Sequence, residues 1–122
     1  MEEQRGLQLP LHVETHGDAG EPILLVHGLG GNAYTWRHWV PQLARSRRVV
    51  LVDLKGFGAA PKPPDDRYSP MDQAELLYRA ILQEDLRGLT LVGHSLGGAV
   101  VILGVWIQQG SAGRAVKDSA PV

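Results

Sequence analysis

Three short stretches of the chain are apolar at nearly every position: Pro22-Ile23-Leu24-Leu25-Val26, Val49-Val50-Leu51-Val52 and Leu89-Thr90-Leu91-Val92. Each is leucine-rich or β-branched and runs into a turn, at His27-Gly28, at Asp53-Leu54-Lys55-Gly56 and at Gly93-His94. A strand with one wet face would alternate. These do not, which predicts strands covered on both faces, as in a parallel sheet. Upstream, Leu7, Leu9, Leu11 and Val13 alternate with Gln8, Pro10, His12 and Glu14. That pattern predicts a half-exposed strand or hairpin at a sheet edge, where Pro10 forfeits no ladder bond.

Helical spacing fills the gaps between the runs. Trp36, Trp39, Val40 and Leu43 recur at helical intervals between Ala33 and Ala44, but Pro41 interrupts them, so a short helix followed by another turn is expected. Ser69-Pro70-Met71-Asp72 is a helix start: a capping hydroxyl, a proline for the first helical position and an acid three residues after the cap. From there Leu76, Leu77, Ala80 and Ile81 carry the helix towards Gly88. A last helix, Ala99 to Ile107, is apolar all round and is expected to be buried on most sides. Residues 59–66, with Pro61, Pro63 and Pro64, read as a loop. Strands alternating with helices predict an α/β fold, a mostly parallel sheet with flanking helices and right-handed crossovers.

Composition narrows the classes. A chain of 122 residues is one domain at most, and 12 basic against 13 acidic side chains give a formal net charge of −1. Nucleic-acid binding needs a basic stripe, and the one basic cluster, Arg45, Arg47 and Arg48, reads as the solvated end of a helix. The absence of cysteine excludes a disulfide framework, a thiolate metal site and a cysteine nucleophile. Met1-Glu2-Glu3-Gln4-Arg5 lacks the basic end and apolar core of a signal peptide, so a cytoplasmic location is expected. Leu89 to Ile107 carries no formal charge and approaches the ~20 residues that span a bilayer. Gly93 to Gly98 divides it into strand and helix, so no membrane span is expected.

The chemistry concentrates in two glycine-rich turns. Leu91-Val92-Gly93-His94-Ser95-Leu96-Gly97-Gly98 runs from an apolar strand through Gly-His-Ser-Leu-Gly into a helix. A serine hydroxyl attacks only when it is exposed, fixed and beside a base. A sharp strand-to-helix turn supplies the first two conditions, its glycines Gly93 and Gly97 remove side chains that would collide, and the helix N-terminus favours negative charge beside Ser95. Val26-His27-Gly28-Leu29-Gly30-Gly31 likewise ends an apolar strand, and its backbone N–H groups can face a developing oxyanion.

These motifs resemble the N-terminal portion of an α/β-hydrolase. The His-Gly-x-Gly-Gly loop and the Gly-x-Ser-x-Gly elbow are joined by Asp53-Leu54-Lys55-Gly56-Phe57-Gly58, similar to the family's Asp-x-x-Gly-x-Gly turn, and the likeness runs from Leu7 to Ala120. It implies that residues 1–122 are the N-terminal part of a single hydrolase domain acting on a small-molecule substrate, with no metal or organic cofactor. It further implies Ser95 as nucleophile, the Leu29 and Leu96 amides as oxyanion donors, and His27, Gly28, Gly30, Gly93, His94 and Gly97 as support. His94 would brace the elbow and Asp53 would shape its turn. A serine at the elbow resembles esterases, lipases, thioesterases and C–C bond hydrolases, whereas dehalogenases and epoxide hydrolases carry aspartate there.

The pattern then breaks. The family orders its triad Ser, then Asp or Glu, then His, yet all five histidines, His12, His16, His27, His38 and His94, precede Ser95. Asp118 sits where some relatives keep their acid, and Gly110-Ser111-Ala112-Gly113 opens a weakly apolar tail in place of a firm strand. The chain is therefore expected to be a partial coding sequence whose triad acid and base lie elsewhere. A non-catalytic relative is the competing expectation, self-associating through an open sheet edge after Leu91.

Overall fold

The computed structural model describes residues 8–111; Leu7, Asp118 and the tail beyond Ser111 lie outside the described residues. The apolar runs form strands β2 (Pro22–Val26), β3 (Arg48–Asp53) and β4 (Thr90–Gly93), and the alternating segment forms β1 (His12–His16). They build one four-stranded sheet in the order β1-β3-β2-β4. β2 is parallel to both β3 and β4, while β1 runs antiparallel to β3. The architecture is thus the expected mostly parallel sheet with helices α1 (Val40–Leu43), α2 (Pro70–Gln83) and α3 (Leu96–Ser111), plus a 3₁₀ turn at Ala33–Trp36.

Strand alternation sorts the core into two layers. Leu24, Val26, Val50 and Val52 meet Leu54, with Ala74 and Leu77 of α2 and Val100 of α3. Ile23, Leu25, Val49 and Leu51 instead meet Ala33, Trp36 and Val40, from the 3₁₀ turn and α1. β2 and β3 are therefore covered on both faces, and burying each Val or Leu contributes about 1.5–3 kcal/mol. Leu11 and Val13 pack against the first layer.

Four details depart from the sequence expectations. The segment between Ala33 and Ala44 splits into the 3₁₀ turn and α1, because Pro41 has no N–H to continue a helix from the preceding turn. α2 begins as expected, with a reciprocal Ser69–Asp72 capping box, but stops at Gln83 instead of running to Gly88, and Asp85 then takes a positive φ of 54°. β4 is an edge strand with no fully buried residue. α3 begins at Leu96, three residues early, and is not buried on most sides: Ile102 and Trp106 are each 63% exposed. One side of α3 packs on α2, and no strand lies past β4 among the described residues to underlie the other.

A buried polar hub ties the proline-rich loop to α2. The Gln73 side chain accepts the Lys55 N–H at 3.1 Å and donates to the Lys55 carbonyl at 2.9 Å. Lys55 Nζ donates to Asp65 Oδ1 at 2.7 Å and to the Arg67 carbonyl at 2.9 Å, and lies 4.4 Å from the Tyr68 ring centre. The Lys55 hydrogen bond, helped by the Arg67 N–H, holds the Asp65 carboxyl below its ordinary value of 3.8. A depressed carboxyl stabilises the fold above its ordinary pKa, and that contribution is lost as pH falls through the lowered one. Asp65→Asn is therefore expected to melt below wild type at about pH 7, with the gap narrowing as pH falls below the ordinary value of 3.8. A gap constant across that range in thermal melts would contradict the ion pair as its origin.

Candidate active site

Strand order creates the site. From β2 the chain passes through the 3₁₀ turn and α1 to β3 on one side, then returns to β4 on the other side of β2 and leaves through α3 on the opposite face. The segments leaving the adjacent carboxyl ends of β2 and β4 diverge, and such a divergence is where open α/β sheets bind ligands. The loop after β2 carries His27 to Gly31 and the turn after β4 carries Gly93 to Gly97, so motifs with a strand between them in the chain become neighbours.

The turn at Ser95 is tight because its glycines let it be. The His94 N–H donates to the Val26 carbonyl at 3.0 Å, extending the β2–β4 pairing past the strand end. Ser95 then takes φ +59°, a left-handed value that costs a non-glycine residue about 1–3 kcal/mol. The Gly97 N–H returns to the His94 carbonyl and the Gly98 N–H to the Ser95 carbonyl, both at 2.9 Å, which starts α3. A Cβ at Gly97 would strike the carbonyls of Val26 and His27, and one at Gly93 would strike Gly97. The turn thus closes on itself while pressed against the end of β2. Ser95 is left exposed, with its hydroxyl making no hydrogen bond among the described residues.

The loop after β2 lies against this turn: a Cβ at Gly28 would sit 3.0 Å from Ser95 Cβ. Leu29 follows, 77% exposed, then Gly30 with φ +80° and open space around it. His27 is fully buried. The Leu54 N–H points at its Nε2 (3.1 Å), and its Nδ1 lies 2.8 Å from the Gly28 carbonyl. Nε2 must be the acceptor, so Nδ1 carries the proton and the ring is neutral with both nitrogens engaged. The Phe57 ring packs on it at 5.2 Å between centres.

His94 meets β2 through its backbone N–H alone; its ring is exposed and makes no hydrogen bond among the described residues. His12 and His16 stand on β1, at the opposite edge of the sheet from β4, about 14 Å away at the usual strand spacing. Asp53 serves its turn: one carboxylate oxygen accepts the Ala33 N–H at 2.5 Å and the other the Ala59 N–H at 3.2 Å. Phe57, Lys55 and Gln73 were not foreseen as contributors. The available signal was a polar Gln73 on the apolar face of α2 and an aromatic between Gly56 and Gly58.

Comparison with known proteins gives one consistent result. A sequence profile described as the α/β-hydrolase fold matches residues 21–103. The chain is 33% identical over 103 residues to a 2-hydroxymuconate semialdehyde hydrolase from Pseudomonas sp. strain CF600, covering 80% of this chain and 34% of that protein. An esterase from Exiguobacterium antarcticum superposes with a TM-score of 0.75 at 27% identity, covering 79% of this chain and 35% of that one. An epoxide hydrolase from Vigna radiata superposes with a TM-score of 0.74 at 28% identity, covering 80% and 32%. The chain spans between about a quarter and a third of the length of the curated relatives it matches.

Proposed function

The chain belongs to the α/β-hydrolase fold family, and from that membership we propose that the intact protein is a serine hydrolase acting on carboxylic esters of small or medium size. The observation that carries this reading is Ser95 itself, exposed just past the carboxyl end of β4, unpartnered among the described residues and with the Gly28 backbone against it. Ser95 Oγ bonds to the ester carbonyl carbon and its proton passes to a histidine. The carbonyl oxygen becomes an oxyanion held by the Leu29 and Leu96 amides, the latter at the N-terminus of α3. Collapse of the intermediate expels the alcohol, which takes the proton from the histidine, and water then releases the acid.

His27 cannot be that histidine, because both its nitrogens are engaged, and none of the others follows Ser95 as the family order requires. The base and its carboxylate are assigned to sequence beyond these residues. Cleavage of a carbon–carbon bond is the enzymatic alternative, since the same serine serves it and one relative is a hydrolase of 2-hydroxymuconate semialdehyde.

A second reading rests on a different surface. Among the described residues β4 has a free edge, and Ile102 and Trp106 of α3 are exposed beside it. On this reading the chain is non-catalytic and pairs with a second copy through β4, since apolar unguarded edges recruit strands.

Two measurements separate these readings. The 122-residue chain is expected to hydrolyse p-nitrophenyl esters about three to six powers of ten below a complete enzyme, while a fluorophosphonate slowly modifies Ser95 and not Ser95→Ala. Ordinary turnover abolished in Ser95→Ala would reveal a base within the chain, and modification of Ser95→Ala at the wild-type rate would overturn the reading of Ser95 as the nucleophile. In sedimentation velocity, the second reading predicts a dimer dispersed by Trp106→Glu; a monodisperse, cooperatively melting monomer contradicts it.

A further inference from the structure

The Asp53-Leu54-Lys55-Gly56-Phe57-Gly58 turn touches the loop after β2 at both ends of that loop. At one end, the Leu54 N–H meets His27 Nε2 at 3.1 Å and Phe57 packs on the same ring. At the other, the Asp53 carboxylate takes the Ala33 N–H at 2.5 Å. Leu29, Gly30 and Gly31 lie between these two points. We propose that this turn is a clamp that aims the Leu29 amide outward, on the side of the loop away from His27, with His27 and Asp53 as its positioning residues. The proposal rests on the reading of Leu29 as an oxyanion donor.

The aiming follows from peptide geometry. The Gly28 carbonyl and the Leu29 N–H belong to one planar trans peptide, so they point in opposite directions. The Gly28 oxygen is held inward by two donors, His27 Nδ1–H at 2.8 Å and the Gly31 N–H at 2.9 Å. Holding that oxygen turns the Leu29 N–H outward, away from His27. The control therefore lies in the tautomer of His27. With the proton on Nε2, the Nδ1 lone pair would face the Gly28 oxygen and push the peptide towards a flip, while the Leu54 N–H would face another proton.

The Leu54 amide thus selects the proton position that in turn selects the peptide orientation. Burial strengthens both steps, because His27 is fully buried and Asp53 is 4% exposed, and a polar group left unpaired there has no water to turn to. Gly58 allows the grip: a Cβ there would sit 2.6 Å from the Asp53 carboxylate carbon.

The test uses the full chain, labelled with ¹⁵N. The ring spectrum of His27 is expected to show Nδ1 protonated and Nε2 bare, with the Gly31 amide protected from hydrogen exchange. Two variants separate aiming from packing. His27→Asn can keep a side-chain N–H near the Nδ1 position and should retain Gly31 protection and near wild-type phosphonylation of Ser95. His27→Gln places its amide further out and should lose the protection, with phosphonylation slowed about ten- to hundredfold. Asp53→Asn should loosen Ala33 and slow phosphonylation, leaving the Leu77 amide in α2 unchanged. An Nε2–H tautomer, or His27→Asn and His27→Gln behaving alike, would overturn the clamp. If Ser95→Ala is phosphonylated as readily as wild type, the catalytic reading fails, while the ring tautomer and the Gly31 amide still decide whether the clamp exists.

Discussion

The parallel pairing of β2 with β4 is the interaction on which the rest depends. It places Val26 opposite Gly93 and, through the His94 N–H to the Val26 carbonyl, carries the ladder one residue beyond the strand. Everything near Ser95 is built on that last bond. The turn cannot be displaced without breaking it, and the loop after β2 cannot withdraw from the turn while Gly97 rests on the Val26 and His27 carbonyls. The left-handed backbone of Ser95 persists because bonds on either side of it leave no alternative, which is the usual condition for strain at a functional residue.

A second constraint comes from polar groups in the interior. His27, Asp53, Lys55 and Gln73 are all buried, and all lie at or just past the carboxyl ends of β2 and β3 or on the helix facing them. Buried polar groups are tolerated only when paired, and each of these is: His27 with Leu54 and Gly28, Asp53 with Ala33 and Ala59, Lys55 with Asp65 and Arg67, and Gln73 with the Lys55 backbone. An apolar core would bind these loops without directing them. Hydrogen bonds fix orientation as well as distance, so the loops beside Ser95 are held in register by the groups that are costly to leave unpaired.

Much of this was legible from local pattern. The unbroken apolar runs marked β2 and β3 because strands covered on both faces have no polar side to show, and Ser69-Pro70 marked the start of α2 because a cap and a first-turn proline act within four residues. The two glycine motifs were visible because their geometry demands small residues at fixed spacing. What stayed hidden depends on distant neighbours. Exposure of Ile102 and Trp106 is decided by what lies beyond β4, and their apolar character carries no information about that. The adjacency of β2 and β4 follows from strand order, and chain order suggested β3 between them. The link from Leu54 to His27 joins backbone to side chain across 27 positions, and a backbone donor leaves no trace in residue type.

The central claim is that the sheet sets the Gly28 backbone against Ser95. The most direct measurement is the nuclear Overhauser effect between the Gly28 α-protons and the Ser95 β-protons in the folded chain. With Ser95 Cβ 3.0 Å from the direction a Gly28 side chain would take, a strong cross-peak is predicted. Its absence from a folded sample in which β2 and β4 still exchange their ladder contacts would contradict the claim.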